Sequence, residues 1–290
     1  MGADSDGHPA GTRTGGGRMT LAIDIVIVNY NNREDLSACL TSIFEAPPRT
    51  LGRVFVVDNA STDGSTEMVA TGWPLVALTA LDTNRGFAAA NNVAIRQATS
   101  PLVLLLNSDT RVPAGAIDTL IERLEATDAA AAGPLLVDGD GRPEISFGPM
   151  LSPLAEVGQR IRVRLAARRG PIARTLVGHL IARERTVDWV SGGCLLVRRD
   201  AALAAGLLDE RYFLYEEDVD FCAALRTGGG AILFTPRARI VHLRGRSVRR
   251  SGAAPTAHYD RSHVAFYEKH CPRWAPALRW WLQVRGRNVR

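Results

Sequence analysis

The sequence predicts an α/β fold, a mainly parallel sheet flanked by helices, on three observations. Aliphatic and β-branched runs recur at Ile23–Val28, Val54–Val57 and Leu102–Leu106, and strands apolar on both faces belong to sheets covered on both sides. Helically spaced apolar residues separate the runs. Acidic and amide residues follow them directly, at Asn29, at Asp58-Asn59 and at Asn107-Ser108-Asp109, where open α/β sheets place their ligands.

Taken in order, Ile23–Val28 is a buried strand, followed by the polar stretch Asn29–Arg33. Glu34–Phe44 carries Leu36, Leu40, Ile43 and Phe44 at helical spacing. After Val54–Val57, Asp63 and Ser65 offer short polar caps for a second helix. Leu75–Leu78 reads as a strand, Gly86–Gln97 as a helix and Leu102–Leu106 as a strand, with Pro113 in the first turn of a helix running through Leu124. Residues 138–186 read as an irregular insert, with Pro143, Pro149 and Pro153 ahead of an arginine-rich stretch broken by Gly158 and Gly170. Within it, the alternation of Arg with aliphatic residues over Ile161–Ala167 fits a strand or one side of a helix. Order returns at Val187–Val197, then a helix over Asp200–Ala205, a helix from Glu217 to before Gly228, and a strand at Ile232–Phe234. Ala257–His270 is helical and Trp274–Val284 amphipathic. The domain plan is a flexible leader over 1–20, one catalytic domain over 21–270 and a basic tail over 271–290.

Composition narrows the setting. Hydrophobic residues make up 46% of the 290, which suits a globular chain. Cys39, Cys194, Cys222 and Cys271 form no CxxC pair, so neither a zinc site nor a disulfide scaffold is indicated, and a reducing cytoplasm is the simpler location. No run approaches the ~20 apolar residues that cross a bilayer, so membrane contact would be peripheral. From Pro236 to Arg290, 12 Arg and Lys269 face only Asp260 and Glu268, a local charge of +11 against a total of +5. That basic stretch suits anionic lipid or a diphosphate. Nucleic acid is disfavoured because no recognition motif accompanies the charge.

Four places carry chemistry. Asp109, at the end of an apolar strand, can hold a magnesium or manganese ion against a diphosphate, or merely cap the next helix. The cluster Asp58–Ser65 can read a nucleoside or satisfy its own backbone. Tyr215-Glu216-Glu217-Asp218-Val219-Asp220 crowds four carboxylates, which can raise one proton affinity enough for general-base work; the plain alternative is an acidic helix start. His242 can complete a metal shell or simply hold a structural hydrogen bond. A GxGxxG after the first strand and a P-loop are both absent.

Together these segments resemble the family 2 glycosyltransferases of the GT-A fold, and most of all bacterial rhamnosyltransferases. The matching pieces are Ile25–Asn31, Asp58–Ser65, Asn84–Asn92, Leu105–Asp109, Trp189–Gly193, Leu208–Phe213, Glu217–Asp220, and His242 with Ser247. The resemblance implies an inverting, metal-dependent transfer from a nucleotide sugar, rhamnose from dTDP-rhamnose above others, to a saccharide or a polyprenyl-diphosphate-linked saccharide. It assigns donor contacts to Asn29, Tyr30, Asp58, Asn84, Arg85 and Ser108, with Asp58 on the base. Asp109 and His242 take the cation, Mg2+ or Mn2+; Asp218 is the base, with Glu217 beside it. Trp189, Gly192 and Gly193 lie on the acceptor side. The family's first metal-motif acid is Asn107 here, and an Arg common two positions after Cys222 is Ala224. A sugar-nucleotide nucleotidyltransferase and a non-catalytic nucleotide-sugar-binding module are the competing readings.

Overall fold

The computed structural model describes residues 21–168, 170–243 and 255–287; the leader, Ser247 and the last three residues of the tail lie outside them. The first half runs β1 (Ile23–Asn29), α1 (Arg33–Glu45), β2 (Leu51–Asp58), α2 (Ser65–Gly72), β3 (Val76–Ala80), α3 (Gly86–Gln97) and β4 (Leu102–Asn107). Its strands are parallel in the order β3-β2-β1-β4. Alternation along β1 explains the layers. Ile23, Ile25 and Ile27 point to one face and pack with Leu36, Leu40 and Ile43 of α1, while Val26 points to the other and packs with Ala88, Ala90 and Ile95 of α3. Asp24 interrupts the apolar run but is satisfied, accepting from the N–H groups of Arg53, Thr99 and Ser100 and from the Ser100 hydroxyl.

The second half adds β5 (Thr110–Arg111), α4 (Ala116–Glu125), β6 (Ala129–Val137), β7 (Phe147–Gly148), α5 (Pro153–Ala167), α6 (Pro171–Ile181), β8 (Arg185–Val187), β9 (Trp189–Val190), β10 (Cys194–Arg198), α7 (Arg199–Ala204), α8 (Glu217–Thr227), β11 (Ala231–His242), α9 (Pro255–His270) and α10 (Ala275–Val284). β10 runs antiparallel between β4 and β6, and β6 pairs parallel with β11. β5 and β8 pair antiparallel with β11. The result is a mixed, mainly parallel sheet between helices, as the fold class predicts.

Three details differ from the sequence reading, and one open alternative resolves. β6 carries no strand signal, because its alanines and Gly133-Pro134 lack β propensity; it is buried along its whole length between β10 and β11. β11 continues beyond Phe234 to His242, with a register break between Thr235 and Arg239 that accommodates Pro236. α4 starts at Ala116 rather than near Pro113, after Gly115 in the left-handed region (φ 73°). The ambiguous Ile161–Ala167 is helical: Ser152 caps α5 by accepting from the Ala155 N–H, and Pro153 occupies its first turn. Among the described residues no helix is long and apolar enough to cross a membrane.

Candidate active site

A cleft of ≈ 990 Å³ opens where the carboxyl ends of β1 and β4 meet the starts of α3 and α8. Of the residues singled out from sequence, Tyr30, Asn84, Ser108, Asp109, Trp189, Gly192, Gly193, Glu217, Asp218 and His242 line it. Asn29, Asp58 and Arg85 do not. Asp58 is buried at the end of β2, where it accepts from Asn29 Nδ2 at 3.0 Å and from the Ser61 N–H at 2.8 Å. Arg85 lies outside the cleft, 3.6 Å from Glu210.

The loop before α3 is fixed by Asn59. Its side chain donates to the Gly86 carbonyl (3.1 Å) and accepts from the Arg85 N–H (2.8 Å). Gly86 has φ 83°, and a Cβ there would stand 2.4 Å from the Phe213 carbonyl; both facts require glycine. The Phe87 N–H then donates to that carbonyl at 2.7 Å, tying the start of α3 to the segment that leads into α8.

Opposite, β5 pairs with β11 so that His242 faces Thr110, and the Leu243 N–H donates to the Asp109 carbonyl at 2.9 Å. This brings His242 Nε2 to 3.3 Å from Asp109 Oδ1 and His242 Nδ1 to 3.4 Å from Glu144 Oε2. Burial pushes the ring's pKa down, but the Asp109 and Glu144 carboxylates outweigh it and hold it at about 9. Among the described residues no three His, Cys, Asp or Glu side chains form a metal cage of their own. Asp109 and His242 nevertheless fit a cation held partly by a diphosphate, which needs only one or two carboxylates from the protein. Glu144 stands behind the imidazole, where a carboxylate would orient a ligating histidine.

The acidic run divides its work. Asp218 Oδ2 accepts from the Gly192 N–H at 2.7 Å, and Oδ1 from the Val219 N–H at 2.8 Å. A Cβ on Gly192 would lie 3.3 Å from Asp218 Cβ, and one on Gly193 3.2 Å from His242 Cε1, so this dipeptide passes between the two groups. Glu217 is buried, burial and then Asp218 push its carboxyl pKa well up, and its Oε2 has no hydrogen-bond partner among the described residues. Glu216 turns instead to His263 (2.9 Å), and Asp220 to Lys269 (2.8 Å) and His270 (2.6 Å). Before α8, Tyr215 and Glu216 both hold positive φ, 72° and 66°. Such backbone costs about 1–3 kcal/mol per residue and persists only where its surroundings enforce it.

The model of the family described as glycosyl transferase family 2 matches residues 24–192, more than half of the chain. The chain belongs to that family. This glycosyltransferase is 32% identical over 286 residues to an N-acetylglucosaminyl-diphospho-decaprenol L-rhamnosyltransferase of Mycobacterium tuberculosis, with 91% of this chain and 90% of the relative covered. It is 29% identical to the O-antigen biosynthesis protein RfbC of Myxococcus xanthus over 83% of this chain and 19% of that one. Its fold matches GalNAc-T7 solved with UDP, GalNAc and Mn2+ (TM-score 0.61, 17% identity, 86% of this chain and 48% of that one). It also matches the Pyrobaculum calidifontis mannosyltransferase PcManGT solved with GDP-Man and Mn2+ (TM-score 0.58, 20% identity, 89% and 68%). The fold is therefore GT-A, and the chain is related to bacterial rhamnosyltransferases.

Several residues lining the glycosyltransferase cleft carry no local signal. His258 and Tyr259 arrive on α9, with the His258 ring stacked on Phe213 at 4.7 Å. Gln159 arrives from α5. Glu144 reaches His242 across 98 residues of sequence, and only the pairing of β11 with β6 brings them together.

Proposed function

We propose that this glycosyltransferase moves rhamnose from dTDP-rhamnose onto a polyprenyl-diphosphate-linked saccharide in cell-wall or surface-polysaccharide synthesis, with inversion at the anomeric carbon. The supporting observation is the single cleft in which Asp218, anchored on Gly192, faces the Asp109–His242 pair. The name of the mycobacterial relative supports the donor and acceptor class. Residues 21–270 would form the catalytic unit, working at the cytoplasmic face of a membrane.

In this reading Asp109 and His242 would hold Mg2+ or Mn2+, and the cation would supply charge to offset that of the departing diphosphate. Tyr30, Asn84 and Ser108 contact the donor from the strand-end side, above the turn that Asn29 and Asp58 build. Asp218 takes the proton of the acceptor hydroxyl through Oδ2, while the Gly192 N–H fixes the direction of that oxygen. Glu217, whose carboxyl burial pushes toward the neutral form, lessens the second charge beside it. Attack comes from the face opposite the nucleotide, and no covalent enzyme intermediate forms.

The test supplies purified protein with dTDP-rhamnose, UDP and GDP sugars, and a lipid-diphosphate disaccharide precursor, following product by mass spectrometry and anomeric configuration by NMR. Transfer of rhamnose with inversion is expected. Transfer from another donor only would overturn the donor assignment. Pyrophosphate release would indicate nucleotidyl transfer, and donor binding without turnover a binding module.

A further inference from the structure

Behind the β7–β9 ribbon lies a second pocket of ≈ 240 Å³, lined in part by Phe147, Arg162, Leu180, Arg185 and Asp188. It is too small for a sugar nucleotide, since sites for such ligands run to about 300–1,000 Å³. Arg185 projects from β8 with its guanidinium over the Phe147 ring, 5.2 Å from the centroid. Its Nε and Nη2 are buried and have no hydrogen-bond partner among the described residues. The carboxylate of Asp188 does not answer them: it pairs with Arg226 at 2.8 Å and accepts from the Met150 N–H at 2.7 Å. Burial and then the charge of Arg162 depress the Arg185 pKa. Two guanidinium groups thus share a small pocket whose one carboxylate is engaged elsewhere, and the unmet Arg185 donors are costly unless an acceptor fills it.

The pocket adjoins the main cleft. Ile145 lines both, and Gly148 of the pocket packs directly against Gln159 and Trp189 of the cleft, where a Cβ would lie 2.9 Å from Gln159 Oε1 and 3.0 Å from the Trp189 ring. On the outer side of α5, Leu154, Val157 and Ile161 recur at helical spacing and are 86%, 57% and 52% exposed. An apolar stripe beside a cationic pocket is what a phosphate group attached to a hydrocarbon chain presents a need for.

We propose that the Arg162–Arg185 pocket is an anion site that takes the diphosphate of a prenyl-diphosphate ligand, with the hydrocarbon lying along the exposed stripe of α5. Its use for the acceptor rests on the function proposed above. The forked guanidinium of Arg185 engages phosphate oxygens in two parallel bonds, and the attached saccharide extends past Gly148 and Trp189 toward Asp218.

The experiment is calorimetric titration of the full chain in EDTA with inorganic pyrophosphate and with farnesyl diphosphate, with and without excess thymidine diphosphate to occupy the main cleft. Both probes should bind, unaffected by thymidine diphosphate, and farnesyl diphosphate should bind the tighter. Arg185→Met should weaken both by about 10- to 100-fold, the worth of charge-assisted hydrogen bonds. Arg185→Lys, which keeps charge and volume but loses the fork, should fall between and guards against misfolding. Leu154→Ser with Ile161→Ser should weaken farnesyl diphosphate alone. Absence of pyrophosphate binding, or binding indifferent to both Arg185 variants in folded protein, would overturn the site. Equal affinity for the two probes would overturn the prenyl assignment. Arg185-dependent binding in a protein that transfers no sugar to a diphosphate-linked acceptor supports the pocket and contradicts the proposed activity instead.

Discussion

In the turn after β2 the Asp58 carboxylate is buried and fully engaged by neighbouring groups, Asn29 Nδ2 and the Ser61 N–H. At the start of α8 the Glu217 carboxyl is just as deeply buried, yet one of its oxygens has no partner among the described residues. The contrast extends across the two walls of the cleft. On the strand-end wall, Asp63 accepts from Arg33 and Ser65, and Asn59 ties down the Gly86 loop; these short bonds build a floor whose polar groups are already met. On the helical wall, Glu216 and Asp220 are drawn away by His263, Lys269 and His270, from 47 to 50 residues along the chain. Asp220 thus lies outside the cleft lining, and Glu216 lines it beside Glu217 and Asp218 with its carboxylate turned to His263. A donor needs the first kind of surface, which costs nothing to organise at the moment of binding, and proton transfer needs the second.

If the division is right, the walls should fail differently. The largest loss is expected on the helical wall: Asp218→Asn should lower transfer about 10²–10⁴-fold, the usual worth of a positioned base. Glu217→Gln should cost far less, because burial already pushes its carboxyl toward the neutral form; the reverse ranking would move the base one residue upstream. Next, Asp109→Asn should lower transfer by about 10²-fold or more and blunt the response of donor binding to Mn2+, read by calorimetry. His242→Ala should follow at about 10–100-fold.

The His263 network gives a stability effect. Burial pushes the His263 ring down, but Glu156 and Glu216 override it and hold its pKa at about 9, above the ordinary 6.5. Its contribution is therefore complete below about pH 6.5 and lost as pH rises through about 9. His263→Gln should cost about 3–5 kcal/mol near neutrality, as breaking a buried ion pair does, and should flatten that alkaline decline in a pH series of urea melts. A variant as pH-sensitive as the parent would show that the network does not hold the helical wall.

The smallest effect concerns the tail. Trp274 and Trp280 are 56% and 64% exposed, while Ala275 and Leu282 of the same helix are buried and Arg287 pairs with Asp260 at 2.8 Å. Deleting the tail would therefore uncover core, and point changes are the better probe. Trp274→Ser with Trp280→Ser should reduce sedimentation with anionic vesicles a few-fold without lowering the melting temperature; unchanged sedimentation would remove the tail from membrane contact.

The two walls also differed in how well they could be read. β1, β2 and β4 announce themselves through unbroken aliphatic runs, and α3 spans Gly86–Gln97 as its spacing predicts, because local preference and burial agree there. β6 does not, since its alanines become a strand only between β10 and β11. The alternation of Arg with aliphatic residues in α5 fits two periods, and tertiary packing chooses the helix. Asp109, Glu217, Asp218 and His242 stood out by residue type, and the fold sets them in one cleft. Which acid of the run faces that cleft was not legible, because the answer lies in partners such as Lys269 and His263, whose sequence positions say nothing about Asp220 or Glu216.

The most direct test measures donor affinity, its Mn2+ dependence and single-turnover transfer on one folded preparation of Asp218→Asn. Donor affinity and metal response at the wild-type level, with transfer reduced about 10²–10⁴-fold, is the predicted result. A near-wild-type single-turnover rate, or loss of donor binding together with transfer, would contradict the separation of a donor-holding wall from a proton-accepting one.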